Sequence, residues 1–386
     1  SNAVPAMTLG PWGIHFDRTN TWWEPARAWM DYLNRCQTLL QEGLFVADLA
    51  YFTGDNVVGY TKVHRNELNP VPPEGYDYDL MNTETLLNRA WIEQGRLRLP
   101  DGMSYRILVL QEQSYITLGL LRKLREMVEQ GLVIVGARPH QTVGLQSYSI
   151  TEEKEFEQLC DELWGKNMAT MIDRNIGKGR VFWEISLNLN QVFRQIQLKP
   201  DFEVGDNPNS APIRYIHRQI GDTDVSFVTN QRRTPEDIIC NFRVEGKVPE
   251  FWNPLTGERS RALVYQKNEG MTSVPIQLDE YGSVFVVFRS DLPEQTAIRS
   301  IYKDSECLVD ASVVSVEEQE QAKYFGVKDD FSISLWVKPE SDAMLNTDNP
   351  MGYISYPWTE YYAIYPSHGE LLYGTGHATC GMAIGR

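Results

Sequence analysis

"TLGLLRKLREMVEQGLVIVGA", residues 117–137, decides how the fold is read. Its first part reads as a helix that stops at Gly131, a residue suited to a helix end. "LVIVGA" then reads as a short, continuously apolar strand. A helix feeding a strand that is apolar on both faces belongs to a parallel sheet with helices on either side.

The pattern holds in both directions. Upstream, "LFVADLAYF" (44–52), "YDYDLMN" (76–82) and "SYRILVLQ" (104–111) read as strands, "GRLRLP" (95–100) alternates, and Thr83 precedes a helix with Leu86 and Leu87. Downstream, "EKEFEQLCDELWG" (153–165) reads as a helix and "GRVFWEI" (179–185) as a strand. Strands alternating with helices predict a flavodoxin-like α/β domain over residues 44–190.

From about residue 212 the helical pattern disappears. "IRYIHRQI", "DVSFVTNQ", "DIICNFRVEG", "PEFWNPLTGE", "ALVYQK", "SVPIQL" and "SVFVVFR" are short strands separated by turn residues. Their spacing predicts an antiparallel β-sandwich over residues 191–296. "FSISLWVKPE" at Phe331 alternates cleanly and predicts a further β domain over residues 297–386, incomplete at its end. At the other end, residues 25–42 read as an amphipathic helix. Ala28, Trp29, Tyr32, Leu33, Cys36, Leu39 and Leu40 recur at helical spacing, and Gly43 is placed to stop it.

Composition narrows the function. The net charge is −16, which disfavours nucleic acid and anionic membrane as partners. Ten Trp and nineteen Tyr suit both cores and sugar-stacking surfaces. The five cysteines are scattered and form no CxxC, so neither a disulfide framework nor a zinc cluster is indicated. No apolar run is long enough to span a membrane. Ser1-Asn2-Ala3 reads as a cloning remnant, so any native signal peptide would have been lost.

Few motifs carry chemistry. The α/β domain has no Gly-x-Cys/Ser-x-Gly elbow to expose a nucleophile. It has no Walker loop, and "YFTGDN" (51–56) is at most an echo of a phosphate loop. The carboxylates of "EGYDYD" (74–79) and "DTD" (222–224) could offer oxygens to calcium, but they read more simply as solvated loop charge. "TWWEPARAWM" from Thr21 is different. A Thr-x-x-Glu capping box is one reading. Pro25 favours a helix that starts at the proline, which leaves Glu24 outside it and free to face a cleft or a metal. In "GPWGIHFDR" (10–18), His15 and Asp17 share a face of an extended segment, next to Arg18.

The stretch from Met7 to Gly54, with "PEGYDYDLMN", "GRLRLPDGMSYRILVLQ", "IHRQIGDTDVSFVTNQ" and "PEFWNPLTGE", resembles the later part of bacterial α-L-rhamnosidase-type enzymes, glycoside hydrolase family 106. The likeness covers about residues 6–290. The segment from Phe331 is similar to the start of a concanavalin/LamG-type lectin-like domain. The resemblance implies a multidomain hydrolase with a (β/α)8 catalytic barrel, acting by inversion with two carboxylates and a bound Ca2+. It implies no organic cofactor. Residues 4–43 would be the last strand–loop–helix unit of that barrel, with the rest outside this chain. Glu24 would be a catalytic carboxylate or, alternatively, a metal ligand. Trp22, Trp23, His15, Asp17 and Arg18 would face the substrate, a rhamnose-containing oligosaccharide or pectin-type polysaccharide. A bacterial periplasmic or extracellular location is expected, and this chain on its own is expected to be inactive. The other reading is a non-catalytic assembly of accessory and carbohydrate-binding modules.

Overall fold

The computed structural model describes residue 18 and residues 22–55, 63–111, 115–143, 150–166, 173–183, 188–205, 211–292, 300–303, 306–310, 371–376 and 379–384. His15, Asp17, the expected barrel strand ahead of them and the expected strand at Phe331 lie outside the described residues. The chain divides into two units, residues 1–36 with 327–386 and residues 37–326.

Helix α1 (Ala26–Gln41) crosses that division. It begins directly after Pro25, whose fixed φ and missing N–H suit the first turn of a helix. The expected apolar stripe is present in sequence, yet Cys36 is the one buried residue of the helix, and Ala28 and Trp29 are exposed. The first unit also holds a hairpin, Leu371–Gly376 paired with Thr379–Ile384.

In the second unit, the run Leu44–Phe52 is two strands, not the single one expected. β1 (Leu44–Phe45) pairs antiparallel with a strand far along the chain, Leu44 opposite Gln219 and Phe45 opposite Arg218. β2 (Leu49–Phe52) pairs in parallel with β3 (Tyr78–Met81). Between the two strands, the Val46 N–H donates to His217 O at 3.0 Å, and Asp48 O accepts from Arg106 and Ile107 at 2.8 and 3.1 Å. Helix α2 (Thr83–Asn88) follows, and then a small antiparallel sheet of β4 (Trp91–Glu93), β5 (Arg96–Arg98) and β6 (Ser104–Tyr105).

Next come β7 (Ile107–Leu110), β8 (Tyr115–Ile116), α3 (Leu118–Gln130), β9 (Val133–Val135), β10 (Gln141–Thr142), α4 (Ile150–Trp164), β11 (Asp173–Ile176), β12 (Gly179–Phe182) and α5 (Leu189–Gln195). The main sheet has the order β11-β12-β9-β7-β2-β3, parallel except for β11 at its edge. Counted along the chain, its parallel strands lie second-first-third-fourth-fifth, a doubly wound order.

The continuous apolar runs are explained by burial on both faces. Ala50, Phe52, Leu108, Leu110 and Ile134 pack with α3 and α4 on one side. Leu49, Tyr51, Ile107, Val109 and Phe182 pack with α5 on the other. Alternate residues of one strand thus serve two cores.

The second half forms two antiparallel sheets. β14 (Ile213–Ile220), β15 (Thr223–Asn230), β17 (Val248–Trp252), β18 (Arg259–Arg261) and β21 (Ser283–Arg289) make one sheet, in the order β1-β14-β15-β21-β17-β18. β13 (Phe202–Val204), β16 (Glu236–Phe242), β19 (Gln266–Asn268) and β20 (Met271–Leu278) make the other, in the order β13-β16-β20-β19. Val228, Val284, Val286 and Phe288 of the first share a core with Ile238, Cys240, Phe242 and Val274 of the second.

Gly43 sets the angle at which the chain leaves α1 and joins β1. Its φ is +63°, and a Cβ there would lie 2.1 Å from the carbonyl oxygen of Gln219. Gly43→Ala is therefore expected to destabilise the second unit by about 2 kcal/mol through left-handed strain and steric overlap. A lowered chemical-denaturation midpoint would register it; an unchanged midpoint would contradict it.

Candidate functional site

Trp22, Trp23, Glu24 and Pro25 form a turn before α1. The Ala26 N–H donates to Trp23 O at 3.2 Å, and the Ala28 N–H donates to Pro25 O at 3.3 Å. Trp22 precedes the helix and Trp29 lies in its first turn, and their rings meet edge-on with centroids 5.6 Å apart. Edge-to-face contact is a favoured arrangement of aromatic rings. The adjacent tryptophans therefore have different environments. Trp22 is half-buried against the helix, whereas Trp23 is 42% exposed. Glu24 is exposed, as is Arg18 in its own turn.

This turn leaves an indole and a carboxylate exposed. It does not by itself make a calcium site. Calcium takes six to eight oxygen ligands, and no group of three or more His, Cys, Asp or Glu side chains placed to hold a metal occurs among the described residues. Among the described residues Glu24 would supply one carboxylate toward such an ion.

At the carboxyl edge of the parallel sheet, ligands of doubly wound folds bind at the switch between β2 and β7. Here the chain fills that position itself. Asp55, from "YFTGDN", accepts the Thr117 N–H at 2.6 Å and also the Thr83 hydroxyl. Thr117 is the N-cap of α3. A carboxylate thus already occupies the helix terminus that would attract an anion. Cys160 lies within α4, and burial pushes its thiol up to about 12, which suits packing and not nucleophilic attack.

A cleft of about 690 Å³ separates the loop around Arg65–Tyr76 from β13 and β14. Several of its polar groups bond one another. Arg214 grips Glu74 through two bonds of 2.9 and 2.8 Å. Tyr215 donates to Gly75 O at 3.0 Å, and Arg65 donates to Pro72, Pro73 and Tyr76 carbonyls. This is a bonded seam between layers.

Below the seam lies a buried ionic chain that the sequence reading missed. Asp48, Asp201, His217 and Asp224 are all buried. Arg243 Nη2 donates to Asp48 at 2.7 Å and to Asp201 at 3.1 Å. His217 Nδ1 lies 2.9 Å from Asp201, and its Nε2 lies 3.0 Å from Asp224. Lys247 closes the chain on Asp224 at 2.7 Å. The reading of "DTD" as solvated loop charge therefore holds for Asp222 and fails for Asp224. The only sequence signal was position. His217 follows Ile213 and Tyr215 at a period of two, on the inward face of β14.

Comparison with known proteins identifies the family of the chain. A family profile described as alpha-L-rhamnosidase matches residues 1–267. A Formosa agariphila protein named "Putative beta-glucuronidase" is 31% identical over 300 residues, which are 78% of this chain and 24% of that protein. A solved rhamnosidase from Novosphingobium sp. PP1Y superposes with a TM-score of 0.64 and 30% identity, over 78% of this chain and 28% of that one. The chain thus spans about a quarter of the length of these relatives. Among the described residues, no helix is long and apolar enough to cross a membrane.

Proposed function

This chain belongs to glycoside hydrolase family 106, the α-L-rhamnosidases, and from that membership we propose that the whole protein hydrolyses an α-L-rhamnoside. The observation that carries this reading is the match over residues 1–267, together with a 30% identical rhamnosidase of the same fold over most of the chain.

In this proposal, residues 4–43 are the last strand–loop–helix unit of a (β/α)8 barrel, whose active site lies at the C-terminal ends of its strands. Glu24 stands where such a strand gives way to its helix. It serves as one of two carboxylates of an inverting hydrolysis, ~6.5–9.5 Å apart, one protonating the leaving oxygen and one activating water. The exposed face of Trp23 stacks on sugar while Trp22 secures the turn through Trp29. Arg18, with His15 and Asp17, contributes to the same wall. The natural substrate is a rhamnose-containing oligosaccharide or pectin-type polysaccharide met outside the cytoplasm.

The regions that follow in sequence are read as a flavodoxin-like domain, from the order of its parallel strands, and a β-sandwich, from two antiparallel sheets with one core. Both act as support. Asp55 at the carboxyl edge and the inert Cys160 favour this accessory role over a second catalytic centre.

The test is release of 4-nitrophenol from its α-L-rhamnoside, with the first-formed sugar anomer followed by NMR. The full-length protein is expected to turn this substrate over and to give the inverted anomer. The 386-residue chain alone is expected to give none. A full-length enzyme that cleaves only the β-D-glucuronide would replace the proposal, and a retained anomer would remove the inverting mechanism.

A further inference from the structure

The ionic chain beneath the seam runs Asp48–Arg243–Asp201–His217–Asp224–Lys247, with signs alternating at each step. Asp48 leads into β2 of the α/β region. The other members come from the start of β13, from β14 and β15, and from the segments after β16 and before β17. The chain therefore ties the parallel sheet to both antiparallel sheets.

His217 is its centre, and the geometry fixes what that ring must do. Nδ1 faces both oxygens of Asp201, at 3.1 and 2.9 Å, and Nε2 faces Asp224 at 3.0 Å. A carboxylate only accepts. A neutral imidazole has one N–H, so one of its nitrogens would turn a lone pair toward a buried carboxylate. Two N–H donors satisfy both contacts. The charge count agrees. Asp48, Asp201 and Asp224 face Arg243 and Lys247; Arg106 beside Asp48 and Asp222 beside Lys247 add one charge of each sign, and a cationic His217 completes the balance.

We propose that His217 is held as an imidazolium and is the central tie between the α/β region and the two antiparallel sheets, so that alkaline deprotonation loosens one from the other. The neighbouring groups on every packed element support this. Burial alone would strip the proton from the ring. Asp201 and Asp224 outweigh that effect and raise His217 to about 9. Burial pushes Asp48 up, and the Arg243 guanidinium opposes it. Arg243 is itself held above its ordinary value because Asp48 and Asp201 outweigh its burial. Asp224 is lowered despite burial by His217 and Lys247. Arg106 lies 3.9 Å from Asp48, and the charge of Arg96 also acts on Asp48. Tyr215, near Asp201, Asp77 and Asp48, and Tyr76, near Asp48, are raised by burial and stay neutral.

The sign follows from linkage. A histidine raised from ~6.5 contributes its stabilisation in full below that value, and loses it as pH climbs through about 9. The tie is closed at neutral pH and opens on the alkaline side.

Imidazole NMR on the intact chain tests this. His217 is expected to keep cationic carbon and nitrogen shifts through pH 8 and to titrate near 9. Titration at or below 6.5 would overturn the proposal. Asp224→Asn should lower the proton affinity of His217 at least tenfold, and it also identifies the resonance if His217→Gln fails to fold. Hydrogen exchange gives the second readout. Between pH 7 and 10, after correction for intrinsic rates, protection of the Val46 and Ile107 amides is expected to fall at least tenfold, ahead of the α3 amides. Equal loss in α3 would show general unfolding and reject a specific tie.

Discussion

Arg243→Ala is expected to destabilise the second unit by roughly 3–5 kcal/mol, the range found when one partner of a buried ion pair is removed. Among the described residues, its guanidinium is the one group bonded to both Asp48 and Asp201. It also donates to Lys199 O at 2.7 Å. Removing it leaves Asp201 with only His217 beside it, and Asp48 with only the half-exposed Arg106 at 3.9 Å. Arg243→Lys restores charge but not the fork that reaches two acceptors, so it should recover only part of the loss. Urea unfolding followed by tryptophan fluorescence measures both variants. A loss below about 1 kcal/mol for the alanine variant would place this pair with ordinary surface ion pairs. The sequence of midpoints, wild type above lysine above alanine, is the specific expectation.

The second large effect concerns chemistry. In the full-length enzyme, Glu24→Gln is expected to cut kcat by about 10²–10⁴-fold, the usual contribution of a group that transfers a proton in the transition state. The amide keeps the shape of the turn and the Trp22–Trp29 contact, so KM and thermal stability should change little. A loss confined to KM would make Glu24 a binding residue. Near-normal turnover would retire it from the active site and leave the exposed Trp23 as the main ligand-facing group of the turn.

The parallel sheet was legible because its strands are buried on both faces. "ILVL" at Ile107 and "VIV" at Val133 are apolar without alternation, and each is set off by polar or glycine punctuation. Helix α3 was legible from its glycine stop; Gly131 closes it with an N–H donated back to Met127 and Val128 carbonyls. The break inside Leu44–Phe52 was not legible. Asp48 is its only local mark, and the partner of β1 is decided by a strand far away in sequence. The ionic chain was hidden for a related reason. Charged residues at strand ends look solvated until distant partners meet, and Arg243 and Asp48 are 195 positions apart. At the candidate site, the proline rule placed the start of α1 and left Glu24 outside the helix. The different surroundings of Trp22 and Trp23 could not be read, because they depend on which indole reaches back to Trp29.

The split between β1 and β2 also bears on the architecture of the second unit. β1 belongs to the antiparallel sheet that is otherwise built after residue 212, so the α/β region is spliced into a β scaffold rather than strung before it. Its points of departure and return, Asp48 and Asp201, are clasped by the same arginine nitrogen. Neighbouring ends are what allow one domain to be grafted into another. The α/β region therefore has the geometry of a removable cassette, and a cut made between residues 43 and 44 would carry away an edge strand of its host.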